Sequence, residues 1–120
     1  MSELQPGGRA EPSPAIGIER TPIRSPSYAG IVSLRGEHDL DSSAAVREAL
    51  DSIDGDVLID LSTCGFMDSS VVGTLLRTAQ ERERAGQRLD LLVPPENRII
   101  ARTIEVASLR ELLTVHDRLP

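Results

Sequence analysis

The run Val57–Gly73, VLIDLSTCGFMDSSVVG, decides how this chain is read. Val57-Leu58-Ile59-Asp60-Leu61 is almost continuously apolar, the pattern of a strand buried on both faces. Ser62 to Met67 leads away from it. Asp68-Ser69-Ser70 then stands directly before Val71, Val72, Leu75, Leu76 and Ala79, which recur at helical spacing. A buried strand thus hands the chain to a helix through a short polar turn. The first amides of a helix lack intrahelical partners and carry partial positive charge. A phosphate on Ser69 or Ser70 would meet those donors and add roughly -1.5 to -2 charges at one surface point. Asp and Ser are also ordinary helix caps, and spacing alone leaves both readings open.

Upstream, Ala29 to Arg35 alternates as a strand, with Val32 and Leu34 on one face and Ile31 and Ser33 on the other; Gly36 is expected to end it. The loop Glu37-His38-Asp39-Leu40-Asp41 follows. Asp41 or Ser42 is placed to cap a helix carrying Ala45, Val46, Ala49, Leu50 and Ile53, closed by Gly55. Ile16-Gly17-Ile18-Glu19 reads as a short edge strand stopped by Pro22. Before it, Met1 to about Ala15 is rich in Pro, Gly and Ser and reads as a disordered tail.

Downstream, the charged run Gln80–Arg84 is a solvated helix face, and Gly86 sits where a left-handed C-cap belongs. Leu89 to Val93 is a further strand, ended by Pro94-Pro95. Glu96 to about Glu105 is a third helix with Ile99, Ile100, Thr103 and Ile104 on its apolar side, and Leu112–Val115 a last short strand. Strands alternating with helices imply an α/β fold. The sheet is mixed and largely parallel, of about four to five strands, and packs with about three helices. The first two strands lie too close in sequence for a helical crossover and should pair antiparallel.

A chain of 120 residues allows one domain. Aromatic residues make up 2%, so the core is aliphatic and no stacking platform for single-stranded nucleic acid is available. The net charge is -6, and the acids crowd one stretch: Glu37, Asp39, Asp41, Glu48, Asp51, Asp54, Asp56, Asp60 and Asp68 are opposed there only by Arg47. Such a surface repels DNA and anionic membranes and suits a basic protein partner, or is simply solvated. No apolar run approaches the length of a membrane span, and the N-terminus has no apolar secretory segment, so the cytoplasm is the expected compartment.

Combined with the loop upstream, the Asp68 turn resembles the signature of the anti-sigma factor antagonist family, the bacterial branch of STAS domains. The family's turn is matched by Phe66, Met67, Asp68, Ser69, Ser70 and Gly73, and its Gly-Glu-Leu-Asp loop by Gly36-Glu37-His38-Asp39. The order of elements matches from about Ile16 to Val115, which implies a STAS domain over 16–120 after a tail at 1–15. The resemblance implies no catalysis and no cofactor. It implies a chain that in its unphosphorylated form binds an anti-sigma factor serine kinase and so releases the sigma factor. Phosphorylation of Ser69 by that kinase ends the binding. The expected contact residues are Glu37, His38, Asp39, Asp68, Ser69, Ser70, Val71 and Val72.

Two departures stand out. Val71 replaces the family's glycine and would put a branched side chain beside the acceptor; His38 replaces a usual leucine. The family's C-terminal helix would be short or absent in a chain ending at Pro120, leaving one edge of the core more exposed. Val71 also favours the alternative reading, a constitutive scaffold or small-ligand-binding STAS module without a phosphorylation cycle. The single cysteine, Cys64, reads as packing, and His38, Asp39 and Asp41 as a solvated loop without metal. Ser69 with His38 and Asp39 lacks the turn and oxyanion hole of a hydrolase. A monomer or weak dimer is expected.

Overall fold

A computed structural model describes residues 17–21 and 27–120. The expected disordered tail, and Ile16 and Pro22 at the ends of the first strand, lie outside the described residues. Strand β1 (Gly17–Thr21) pairs antiparallel with β2 (Gly30–His38), as the short connection requires. Helix α1 (Leu40–Asp51) leads to β3 (Val57–Asp60), β4 (Cys64–Met67) and helix α2 (Ser69–Arg84). Strand β5 (Leu89–Leu92), helix α3 (Arg98–Val106), a 3-10 turn at Leu109–Glu111 and β6 (Val115–His116) complete the chain. The sheet runs β1-β2-β3-β5-β6, with β4 also paired to β2. Every pairing but the first is parallel.

Six strands form where four to five are expected, and Gly36 supplies the reason. It takes φ 79, a left-handed conformation cheap only for glycine, but the strand does not stop. The register slips by a bulge between Gly36 and Glu37, and β2 continues to His38. Along its first half β2 pairs with β3, Ile31 opposite Leu58. Beyond the bulge it pairs with β4, His38 opposite Met67. The segment after Leu61 is therefore a strand and not merely a lead-away.

At the other end, the expected strand at Leu112–Val115 shrinks to Val115–His116. The Leu113 amide donates to Leu109 O at 2.8 Å, so both leucines bury through a turn rather than through strand alternation.

One aliphatic core lies between the sheet and the helices. It joins Val32 and Leu34 of β2, Val57, Ile59 and Leu61, and Leu89 and Leu91 to Val46 and Leu50 of α1, Val71 and Leu75 of α2, and Ile100 and Ile104 of α3. Leu58, buried on the opposite face of the sheet, packs with Tyr28, Leu92 and Ile31, so β3 is covered on both sides as its composition demands. Helix α1 lacks a basic residue in its last turn. Arg82 of α2 supplies one: its guanidinium donates to Leu50 O at 3.1 Å, Ile53 O at 2.7 Å and Gly55 O at 2.5 Å. That clamp holds the two helices side by side, and with them their N-termini.

Candidate functional site

Strands β2 and β4 run parallel and end together. Each hands the chain directly to a helix, β2 to α1 through Asp39 and β4 to α2 through Asp68. The Asp68 amide donates to His38 O at 3.1 Å, which ties the two turns into one surface. Two helix N-termini at the carboxyl ends of adjacent parallel strands occupy the position where open α/β sheets place their sites.

Asp39, not Asp41 or Ser42, caps α1. Its carboxylate accepts from the Asp41 amide at 3.0 Å, while Ser42 at the third helical position reaches back and accepts from the Asp39 amide at 3.1 Å. Asp68 caps α2. One carboxylate oxygen accepts from the Ser70 hydroxyl at 2.5 Å, the Ser70 amide at 3.0 Å and the Val71 amide at 3.2 Å. The Ser70 hydroxyl, aided by the Val71, Ser70 and Leu40 amides, holds the Asp68 carboxyl below the usual carboxylate range, against a smaller opposing effect of desolvation.

Ser69 is the first helical residue and is exposed. No hydrogen bond engages its hydroxyl among the described residues. Ser70 is half-buried with its hydroxyl committed to Asp68, so the two serines differ in availability. Glu37, Asp39 and Asp41 are exposed beside the turn, and Val72 is partly buried on α2. Leu40, 69% exposed, and Phe66, 45% exposed, add apolar surface to the same neighbourhood. Neither was among the expected contact residues: Leu40 falls off the apolar stripe of α1, and Phe66 matched the family's turn without a sign that β4 would leave it exposed.

Three expectations are corrected here. His38 is fully buried, with Nε2–H donating to Arg35 O at 2.9 Å and Nδ1 3.1 Å from Ser42 Oγ. Its ring can offer no surface to a partner and no base to Ser69. Val71 is also fully buried, packed in the core, so its branched side chain does not stand beside the acceptor hydroxyl. Of the helix-start amides that a phosphate on Ser69 or Ser70 was expected to meet, those of Ser70 and Val71 already bond Asp68. Cys64 is buried, which pushes its thiol up, and donates to Phe66 O at 3.4 Å. Among the described residues no His, Cys, Asp and Glu side chains cluster as a set that could hold a metal ion, and no helix is long and apolar enough to cross a membrane.

This arrangement, a bulged second strand and a capped Asp-Ser-Ser turn over a mixed sheet, is that of a STAS domain. Residues 23–114 match the family model described as Mlab, STAS domain, and the chain belongs to the STAS-domain family. No curated protein matches the sequence. Among solved structures, the fold is similar to that of an anti-sigma factor antagonist from Mycobacterium paratuberculosis. The TM-score is 0.69 and the identity 21%, covering 89% of this chain and 91% of that one. It is similar also to the anti-sigma factor antagonist SpoIIAA in its unphosphorylated form, with TM-score 0.64, 18% identity and coverage of 86% and 90%. The Bacillus cell fate determinant SpoIIAA in its phosphorylated form gives TM-score 0.61, 20% identity and coverage of 82% and 90%.

Proposed function

We propose that this chain is an anti-sigma factor antagonist. Unmodified, it binds an anti-sigma factor that is itself a serine kinase and so frees the sigma factor; phosphorylation of Ser69 ends the binding. The observation that carries this reading is the exposed, unengaged Ser69 hydroxyl on a rigidly capped helix start, beside a neighbour, Ser70, that is tied down. Glu37, Asp39, Asp68, Ser69, Ser70 and the outer part of Val72 form the docking surface, with Leu40 and Phe66 as its apolar contacts. His38 and Val71 contribute from beneath by holding the backbone in place.

The chain is then a substrate and a binding partner rather than a catalyst. Phosphate on Ser69 finds the adjacent amides occupied by Asp68, so its charge stays at the surface. Added to Asp39 and Asp68, it would repel a partner selected to fit the unmodified edge. The fold beneath is left alone. A kinase using ATP places this exchange in the cytoplasm. The scaffold alternative loses its favouring feature, because Val71 packs inward.

Phosphotransfer tests the assignment. Anti-sigma kinases encoded in the source genome are incubated one at a time with the chain and ATP, and intact mass is read. The expected result is a gain of one phosphate on wild type and none on Ser69→Ala. A gain that survives Ser69→Ala, or none from any such kinase, would contradict it.

A further inference from the structure

Helix α2 carries no charged residue between its cap and Arg77, the sequence from Ser69 being SSVVGTLL. Arg77 is exposed and has no carboxylate partner among the described residues. Its side chain nevertheless does not extend into solvent. It folds back toward the helix N-terminus, where one terminal nitrogen lies 3.4 Å from Thr74 Oγ1 and the other 3.1 Å from where a Cβ on residue 73 would stand. Gly73 leaves that path open, since a Cβ there would crowd the guanidinium. Gly73 lies one turn from Ser69, so the guanidinium sits about 6 Å along the helix axis from the acceptor residue. Helical side chains lean in this same N-terminal direction.

We infer that Arg77 is the intramolecular partner of phosphate on Ser69: the modified hydroxyl turns along α2 and its phosphate pairs with the guanidinium over Gly73. The inference rests on Ser69 being the modified residue. Two features of the site drive the phosphate that way. The Ser70 and Val71 amides are taken by Asp68, and the Asp39 and Asp68 carboxylates repel a second anion. Glu37 and Asp41 add to that repulsion from the β2 end and from α1. Arg47, the cation of α1, is paired with Asp51 and Glu81. A planar fork is suited to bidentate contact with phosphate oxygens. Drawn over Gly73 and Thr74, the phosphate covers the outer face of the first two turns of α2, adjacent to the docking edge. Arg77 is thus a positioning residue of the modified state and takes no part in phosphotransfer.

The test installs phosphoserine at position 69 during translation of the full chain, so that no kinase is needed, and follows the phosphate by phosphorus NMR across pH. A guanidinium partner favours the dianion. Wild type should therefore titrate roughly half a pH unit below Arg77→Gln, the difference shrinking at high salt. Gly73→Ala, which puts a methyl group in the path of the guanidinium, should move the midpoint in the same direction as Arg77→Gln. Arg77→Lys should restore part of the shift. Arg84→Gln, further along the same helix, should leave the midpoint unchanged. Coincident midpoints for wild type and Arg77→Gln, or an equal change in Arg84→Gln, would overturn the inference. Failure of the kinase reading would show separately, as absence of a mass gain on unmodified chain while the titration difference persists.

Discussion

At the scale of single residues, Asp68 does the most for the site. It ends the helix-start amides' search for partners, pins Ser70 and leaves Ser69 alone at the surface. Because its folded-state pKa is depressed, its stabilising effect is complete above the ordinary carboxylate value of about 4 and is lost as pH falls through the lowered folded value. Thermal unfolding of wild type and Asp68→Ala should therefore differ at neutral pH, with the variant melting lower, and converge in strong acid. Asp68→Asn, which keeps a capping oxygen, should melt nearer to wild type at neutral pH and lack the acid dependence. Equal melting of all three at neutral pH would show that the cap is idle. The Asp68 cap was legible in sequence because Asp-Ser-Ser before an apolar stripe is an ordinary capping pattern, whereas Ser69 as an acceptor came only from the family resemblance. The fates of His38 and Val71 were not legible. A histidine in an acidic loop reads as solvated, and only the pairing of β2 with β4 shows that its ring is enclosed and its nitrogens are spoken for by Arg35 O and Ser42.

At the scale of elements, the site depends on two helices starting side by side, and Arg82 enforces that from the far end. It is a buried arginine whose burial lowers its pKa, donating to three carbonyls at the end of α1 and the turn beyond. Arg82→Met should cost about 3 kcal/mol in urea unfolding, since it strands those carbonyls as well as removing the charge. Arg82→Lys should recover little, because one ammonium cannot span the three acceptors. A loss below about 0.5 kcal/mol would mean water satisfies the carbonyls instead. In the sequence Arg82 sits inside Gln80–Arg84, a run read as solvated; helical periodicity gives no sign that one of its arginines turns inward to cap another helix. Helix positions, the antiparallel first pairing and the left-handed Gly86, at φ 77, follow the sequence patterns closely. β4 escaped them because glycine-marked breaks and bulges look alike in one dimension, and because Cys-Gly-Phe-Met has no strict alternation.

At the scale of the whole molecule, the two faces of the sheet differ in kind. The helix side is mainly aliphatic. The other side holds a polar knot: the Tyr28 hydroxyl donates to Asp90 at 2.7 Å, His116 Nε2 lies 3.2 Å from the same carboxylate oxygen, and the Arg88 guanidinium lies 5.4 Å from the Tyr28 ring centroid. Burial, then the bond to Asp90 and the charge of that acid, raise the Tyr28 pKa well above its ordinary value of about 10. A raised folded-state pKa means stability that is full below the unfolded value and is lost as pH climbs toward the folded one. Ultraviolet titration of this one tyrosine should therefore show ionisation delayed beyond pH of about 10 and coincident with alkaline unfolding. Ionisation at the ordinary value in folded protein would contradict the placement. Tyr28→Phe should lose about 2 kcal/mol, since Asp90 is 2% exposed and would forfeit a donor.

The proposed docking edge, where β2 and β4 end, is where that rigid body would meet a partner, and the proposal requires that one added phosphate alter binding without altering fold. The most direct measurement compares unmodified chain with chain carrying phosphoserine at 69, by calorimetric titration against the cognate anti-sigma kinase and by amide NMR of each free form. Binding should weaken at least about tenfold on modification, while amide shifts change only around the Asp68 turn and the first turns of α2. Equal affinities, or shift changes spread through the core, would contradict the account.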